Sequence, residues 1–85
     1  MLREKPLISA CVLIRSRRGE FEEVVNILKQ LKGVNKIFPV LGRYDVVVDF
    51  KAPDSLTLGK TILKMGRISG VVFTETLVEI QSKEG

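Results

Sequence analysis

The sequence predicts an α+β fold in which two β-α-β halves are joined by a hairpin, giving the order βαββαβ. Three observations carry this. Segments rich in β-branched residues stand near both ends of the chain, at Leu7–Ser16 and Val71–Ile80. Two stretches with apolar residues at helical spacing lie between them, each closed by a glycine. The middle holds two short strand-like runs separated only by Gly42 and its neighbours.

The first strand, LISACVLIRS, follows Pro6 and is apolar on both sides, so it does not alternate cleanly. Cys11 sits within it and reads as a small buried hydrophobe. The first helix is expected over Glu20–Lys32. Phe21, Val24, Val25, Leu28 and Leu31 form one apolar stripe. Glu20, Glu22 and Glu23 load its first turn and Lys29 and Lys32 its last, the order that suits the helix dipole. Gly33 is placed to terminate it.

VNKIFPVL, from Val34, is the second strand. Pro39 cannot donate to a ladder, so this strand belongs at an edge or a bulge. YDVVVDFK, from Tyr44, is the third. The second helix lies in APDSLTLGKTILKMG, with Asp54 or Ser55 as N-cap, a stripe of Leu58, Ile62 and Met65, and Gly66 at its end. Gly59 inside it costs about 1 kcal/mol relative to Ala, which suggests close packing there. The fourth strand, Val71–Ile80, leads into a charged tail.

Each half needs a right-handed crossover. The compact solution is the ferredoxin-like sandwich, a four-stranded antiparallel sheet with two helices on one face. The chain of 85 residues is read as one domain, 1–85, with a core of about 7–81. A chain of this size buries only about 60% of its unfolded surface, yet 45% of its residues are hydrophobic. On the first strand, Ile8, Ala10, Val12 and Ile14 alternate with Leu7, Cys11 and Leu13. On the fourth, Val71, Phe73 and Leu77 are expected on one face and Val72, Val78 and Ile80 on the other. Helices cover only one of those faces. The other is expected to pack against a second copy, giving a dimer joined through its sheets.

Composition excludes several chemistries. Histidine is absent and there is one cysteine, so the chain holds neither a histidine-based triad nor a Cys/His zinc site. Asp45 and Asp49 share a strand face but lie about 13 Å apart, too far for one group to bridge. LGRYDV lacks the glycines and lysine of a phosphate loop. An RNA-recognition sheet would carry aromatics on its first strand, and this one has none. Six residues precede that strand, leaving no room for a helix-turn-helix, so specific DNA binding is not expected. The net charge is +4, and the Arg15, Arg17 and Arg18 cluster reads as solvated surface. No apolar run is long enough to span a bilayer, MLREKP lacks the apolar core expected of a signal peptide, and disulfides are excluded within the chain. These features point to the cytoplasm, with no membrane partner and no cofactor.

The hairpin remains. Gly42 serves a turn, and also exposes backbone N–H and C=O with no side chain in the way. Arg43, Tyr44 and Asp45 add a cation, an amphipathic ring and a carboxylate at one rim. Thr74 and Thr76 share a face of the fourth strand and offer two hydroxyls, although threonine there also serves β-propensity. Such a set suits a small zwitterion, with carboxylate on N–H and hydroxyl, and ammonium on carbonyl or carboxylate.

In order and spacing, the residues resemble the effector-binding (RAM) domain of the Lrp/AsnC regulator family over about Leu7 to Gln81. The marks are Val34, the run Gly42-Arg43-Tyr44-Asp45 matching the family's Gly-x-Tyr-Asp, and Gly70-Val71 followed by Thr74-Glu75-Thr76. The resemblance implies sheet-packed dimers assembling into rings, often octamers. It implies a free amino acid bound between dimers, with Gly42, Tyr44 and Asp45 as leading site residues and Thr74 and Thr76 second. Arg43 fills the variable position. It further implies a non-enzymatic protein that acts alone or by co-assembly with a full-length regulator of the family. Alternatives are an ACT-like regulatory module with its contact at Gly19, a purely structural assembly module, and an enzyme of the dimeric α+β barrel type.

Overall fold

The computed structural model describes residues 7–79. The elements run β1 (Ile8–Ser16), α1 (Phe21–Leu28), β2 (Val34–Pro39), β3 (Val46–Ala52), α2 (Ser55–Gly66) and β4 (Val71–Val78). The sheet order is β2-β3-β1-β4, every pairing antiparallel. This is the expected ferredoxin-like βαββαβ arrangement. Pro39 lies on β2, an edge strand, where its missing N–H costs no ladder bond.

One face of the sheet is the core. Ala10, Val12 and Ile14 of β1 lie across from Phe50, Val48 and Val46 of β3. Val24 and Leu28 of α1 and Leu58 and Met65 of α2 seal them, and most of these side chains have no accessible surface. The partly buried Phe21 and Val25 of α1 and Ile62 of α2 complete the two helical stripes, and Leu31, beyond α1, packs on the same core.

Several boundaries differ from expectation, each for a local reason. α1 has 8 residues and ends at Leu28, so Lys29 and Lys32 lie beyond its last turn. Gly33 is not a helix cap. Its φ of +91° belongs to a turn pressed against β3, where a Cβ would stand 2.5 Å from the Lys51 carbonyl oxygen. Asp54 is the N-cap of α2, accepting the Thr57 N–H at 2.7 Å. Gly59 has nothing within 4 Å of where its Cβ would be, so close packing does not explain it. β1 starts at Ile8 rather than Leu7, and β2 and β3 end and begin nearer their cores, leaving the loop 40–45 between them. Ile80 lies outside the described residues.

The face assignment on β4 also changes. A register shift at Arg15/Ser16 pairs Phe73 with Arg15 but Val71 with Ser16. Val71 therefore packs on the core, while Phe73 and Leu77 look out from the uncovered face. That face carries Leu13, Val47 and Phe38 in one cross-strand row and Cys11 beside Leu77 in the next. Cys11 is half-buried rather than core, and burial, with Asp49 beside it, raises its thiol pKa.

Candidate functional site

The loop 40–45 is closed by the Val40 N–H donating to the Asp45 carbonyl at 3.0 Å. Asp45 N–H in turn donates to Ile14 O at 2.8 Å, extending the β1–β3 ladder by one bond. Gly42 has φ +131° at the exposed tip, with nothing within 4 Å of an added Cβ. The backbone conformation there favours glycine, and the surrounding space is open.

Beyond the glycine the chain turns back onto the uncovered sheet face. Tyr44 lies on β4, its ring 6.3 Å from that of Phe73 with 21° between the planes, a stacked pair. Its hydroxyl donates to the Glu75 carboxylate. Arg15 Nε donates to the Arg43 carbonyl oxygen at 3.1 Å, tying the end of β1 to the loop. Arg15, Arg43, Tyr44 and Phe73 together line a cleft of about 300 Å³. The Tyr44 hydroxyl pKa is raised, chiefly by its bond to Glu75, while the Arg43 and Arg15 charges oppose the rise. One corner of the sheet thus presents two guanidiniums, a carboxylate and two rings.

The residues singled out from the sequence separate into two groups. Arg43 and Tyr44 line the cleft, with Gly42 beside them at the loop tip. The Asp45 carboxylate turns inward instead, accepting the Ser16 N–H at 2.8 Å and, more weakly, the Ser16 hydroxyl at 3.5 Å. It holds the loop to the end of β1. Thr74 and Thr76 do share a face, but they pair with Ile14 and Val12, whose side chains are fully buried beneath the helices. The sheet therefore stands between these hydroxyls and the Tyr44 ring. Arg15, Phe73 and Glu75 were not seen as site residues from the sequence. Phe73 and Glu75 have the alternation opposite to that of Thr74 and Thr76, and that parity was the available signal. Among the described residues, no group of histidine, cysteine and carboxylates is placed to hold a metal. None of their helices is long and apolar enough to cross a membrane.

A helix-backed sheet thus carries a charged, aromatic cleft at its hairpin corner. Comparison with known proteins places it. The model of the Lrp/AsnC ligand binding domain matches residues 9–84, and the chain belongs to that family. An HTH-type transcriptional regulator, FL11 of Pyrococcus furiosus, is 28% identical over 74 residues, covering 87% of this chain and 49% of its own length. The chain thus spans about half the length of the curated relatives it matches. A solved protein of Thermus thermophilus superposes with a TM-score of 0.83 at 28% identity, covering 92% of this chain and 99% of its own. A transcriptional regulator of Neisseria meningitidis, solved as a complex with L-Met, shares the fold. Its TM-score is 0.80 at 14% identity, and the match covers 92% of this chain and 53% of that one.

Proposed function

We propose that this chain is a non-enzymatic effector-binding protein of transcription regulation that takes a free amino acid in the cleft of Arg15, Arg43, Tyr44 and Phe73. The observation that carries the reading is a cleft lined by two guanidiniums and by Tyr44, whose hydroxyl holds the Glu75 carboxylate. Arginine forks match a carboxylate bidentately, and Glu75 is placed to meet an ammonium. The stacked Tyr44 and Phe73 rings offer an apolar wall to the effector side chain. The L-Met complex of the Neisseria regulator supports the ligand class, as does the family's description as a ligand-binding domain.

The cleft opens at the edge of the uncovered face, where a second copy would complete it. The proposed assembly is a homodimer packed through its sheets. Dimers associate into a ring by their hairpins, either alone or with a full-length regulator of the family. Sensing demands a dissociation constant near cellular amino-acid levels, micromolar to millimolar, or about −8 to −4 kcal/mol.

The test is a thermal-shift screen of the twenty amino acids followed by calorimetry on the hit. Arg43→Gln and Glu75→Gln are each expected to weaken binding by about 1.5–3 kcal/mol, the loss of one charge-assisted hydrogen bond. A hit bound equally by both variants and wild type, or one whose contacts map to Gly19, would refute this site.

A further inference from the structure

Another concave feature of the molecule lies at the other end of the sheet. The exposed face of α2 presents Thr57, Lys60, Thr61 and Lys64, the i, i+3, i+4, i+7 positions of one helical stripe. The α1–β2 turn faces it with Lys32, and the two border a groove of about 410 Å³. Among the described residues, no carboxylate lines this groove. Those residues contain one ion pair, Arg17–Glu20, which is elsewhere, so none of the lining lysines, Lys32, Lys51, Lys60 and Lys64, is paired with an acid among them. Lys60 and Lys64 stand at i and i+4, a like-charge spacing that disfavours a helix. Lys32 adds a third positive charge across the groove. An anion seated among them would relieve that repulsion.

The groove is separate from the hairpin cleft. Lys51 and Pro53 border it, at the end of β3 that pairs with Ile8 and Ser9, whereas the cleft lies beyond Val46. The length of β3 places them roughly 20 Å apart. Its form also restricts the occupant. Leu31 and Pro53 give it apolar lining, and Thr57 and Thr61 add hydroxyl-bearing side chains. The Thr61 hydroxyl donates to Thr57 O at 2.9 Å, so its proton is already committed and the lysines carry the attraction for an anion. Lysine point charges around one groove suit a compact, multiply charged anion better than a planar monocarboxylate, for which arginine forks are the better match.

We infer that the groove between α2 and the α1–β2 turn is a second ligand site, for a small phosphate-bearing anion held by Lys32, Lys60 and Lys64. The volume suits a molecule of nucleotide size, and such pockets fall at the lower end of the range for ligand sites. A nucleic-acid backbone would be better served by cations spread along a surface. Here the arginines that would extend such a track, Arg15, Arg17 and Arg18, follow β1 to the opposite end.

The experiment uses the full chain at physiological salt and titrates pyrophosphate, ATP, adenosine and citrate, following binding by calorimetry and by backbone amide NMR shifts. Saturable binding of pyrophosphate or ATP is expected, with the largest shifts at Gly33, Thr57 and Thr61. Binding by ATP alone identifies a nucleotide, and equal binding by pyrophosphate identifies the phosphate group as the determinant. Lys60→Gln/Lys64→Gln is expected to weaken binding at least tenfold. Its ligand-free melting temperature should be unchanged or higher, because a like-charge pair has been removed, so loss of binding is not loss of fold. Arg43→Gln should bind these anions as wild type does. Four outcomes would overturn the inference: no saturation by either phosphate compound, preference for citrate or for adenosine, loss of binding in Arg43→Gln, or tighter binding of a mixed-sequence DNA duplex through the same lysines.

Discussion

Tyr44 shows at single-residue scale how this fold joins a loop to a sheet. It is the chain's one tyrosine, and its hydroxyl donates to Glu75 across 31 positions of sequence. A hydrogen bond donated to a carboxylate favours the protonated phenol, which raises its pKa. The folded chain therefore holds this proton more tightly than the unfolded chain does. The corresponding stability is complete below the unfolded tyrosine value of about 10 and is lost as pH rises through the higher folded value. Tyrosinate absorbance is an unambiguous readout with a single tyrosine. Glu75→Gln should lower the apparent pKa toward the ordinary value, and an unmoved titration would show that the bond does not persist in solution. Asp45 acts differently. Its carboxylate accepts the Ser16 N–H, so Asp45→Ala removes an acceptor from a half-buried donor. A loss of about 1–3 kcal/mol in urea unfolding is expected. If calorimetry also found weaker effector binding, comparison with Arg43→Gln, which spares the Ser16 contact, would tell loop disorder from a lost ligand contact.

At the scale of elements, most of the architecture was legible because its signals are periodic. The Val24/Leu28 and Leu58/Met65 stripes, the Asp54 cap and the edge position of Pro39 all follow from spacing and backbone chemistry. What was not legible depends on tertiary contacts. α1 ends at Leu28 although the charge and apolar pattern continue to Lys32, because the chain must turn early to bring Gly33 against β3. On β4 the expected faces hold for Phe73, Leu77 and Val78, and only Val71 changes side, because alternation assumes an unbroken register and the shift at Arg15/Ser16 interrupts it. Phe73 and Glu75 share the uncovered face by plain alternation, opposite Thr74 and Thr76. Arg43 and Tyr44 were legible because a hairpin tip exposes whatever it carries. The two glycines with opposite surroundings supply a test. Gly33→Ala puts a methyl 2.5 Å from a backbone oxygen at φ +91°, and should destabilise by about 1–3 kcal/mol or more. Gly59→Ala adds a methyl to open space in α2 and should stabilise by up to about 1 kcal/mol. Urea midpoints of the two variants are expected on opposite sides of wild type.

At the scale of the whole molecule, the described helices cover the sheet on one side only. Phe73 and Leu77 are 55% and 53% exposed and Phe38 is 40% exposed, and they share the uncovered face with Leu13 and the largely buried Val47, interrupted by Glu75, Arg15 and Asp49. Apolar patches of this kind are uncommon on monomers. A second copy offers the same shape and the same chemistry, so an isologous pairing buries both patches at once. A stable interface needs about 800 Å² per partner, and one whole sheet face of a protein this small is of that order. The proposed dimer predicts that light scattering at micromolar concentration gives at least twice the 9.5 kDa chain mass. Leu77→Asp places a charge beside Cys11 and Asp49 on the uncovered face, where like charges meet twice in a symmetric pairing. It should shift the mass toward the monomer while leaving the helix-covered core, and hence the far-ultraviolet circular dichroism, intact. Val78, one position on, pairs with Ala10 on the opposite face and is 45% exposed. Val78→Asp therefore adds the same charge one residue away but on the helix side. If the sheet face is the interface, only the first substitution dissociates it. Equal dissociation by both would assign the contact to the strand edge, and a stable 9.5 kDa wild type would end the dimer proposal.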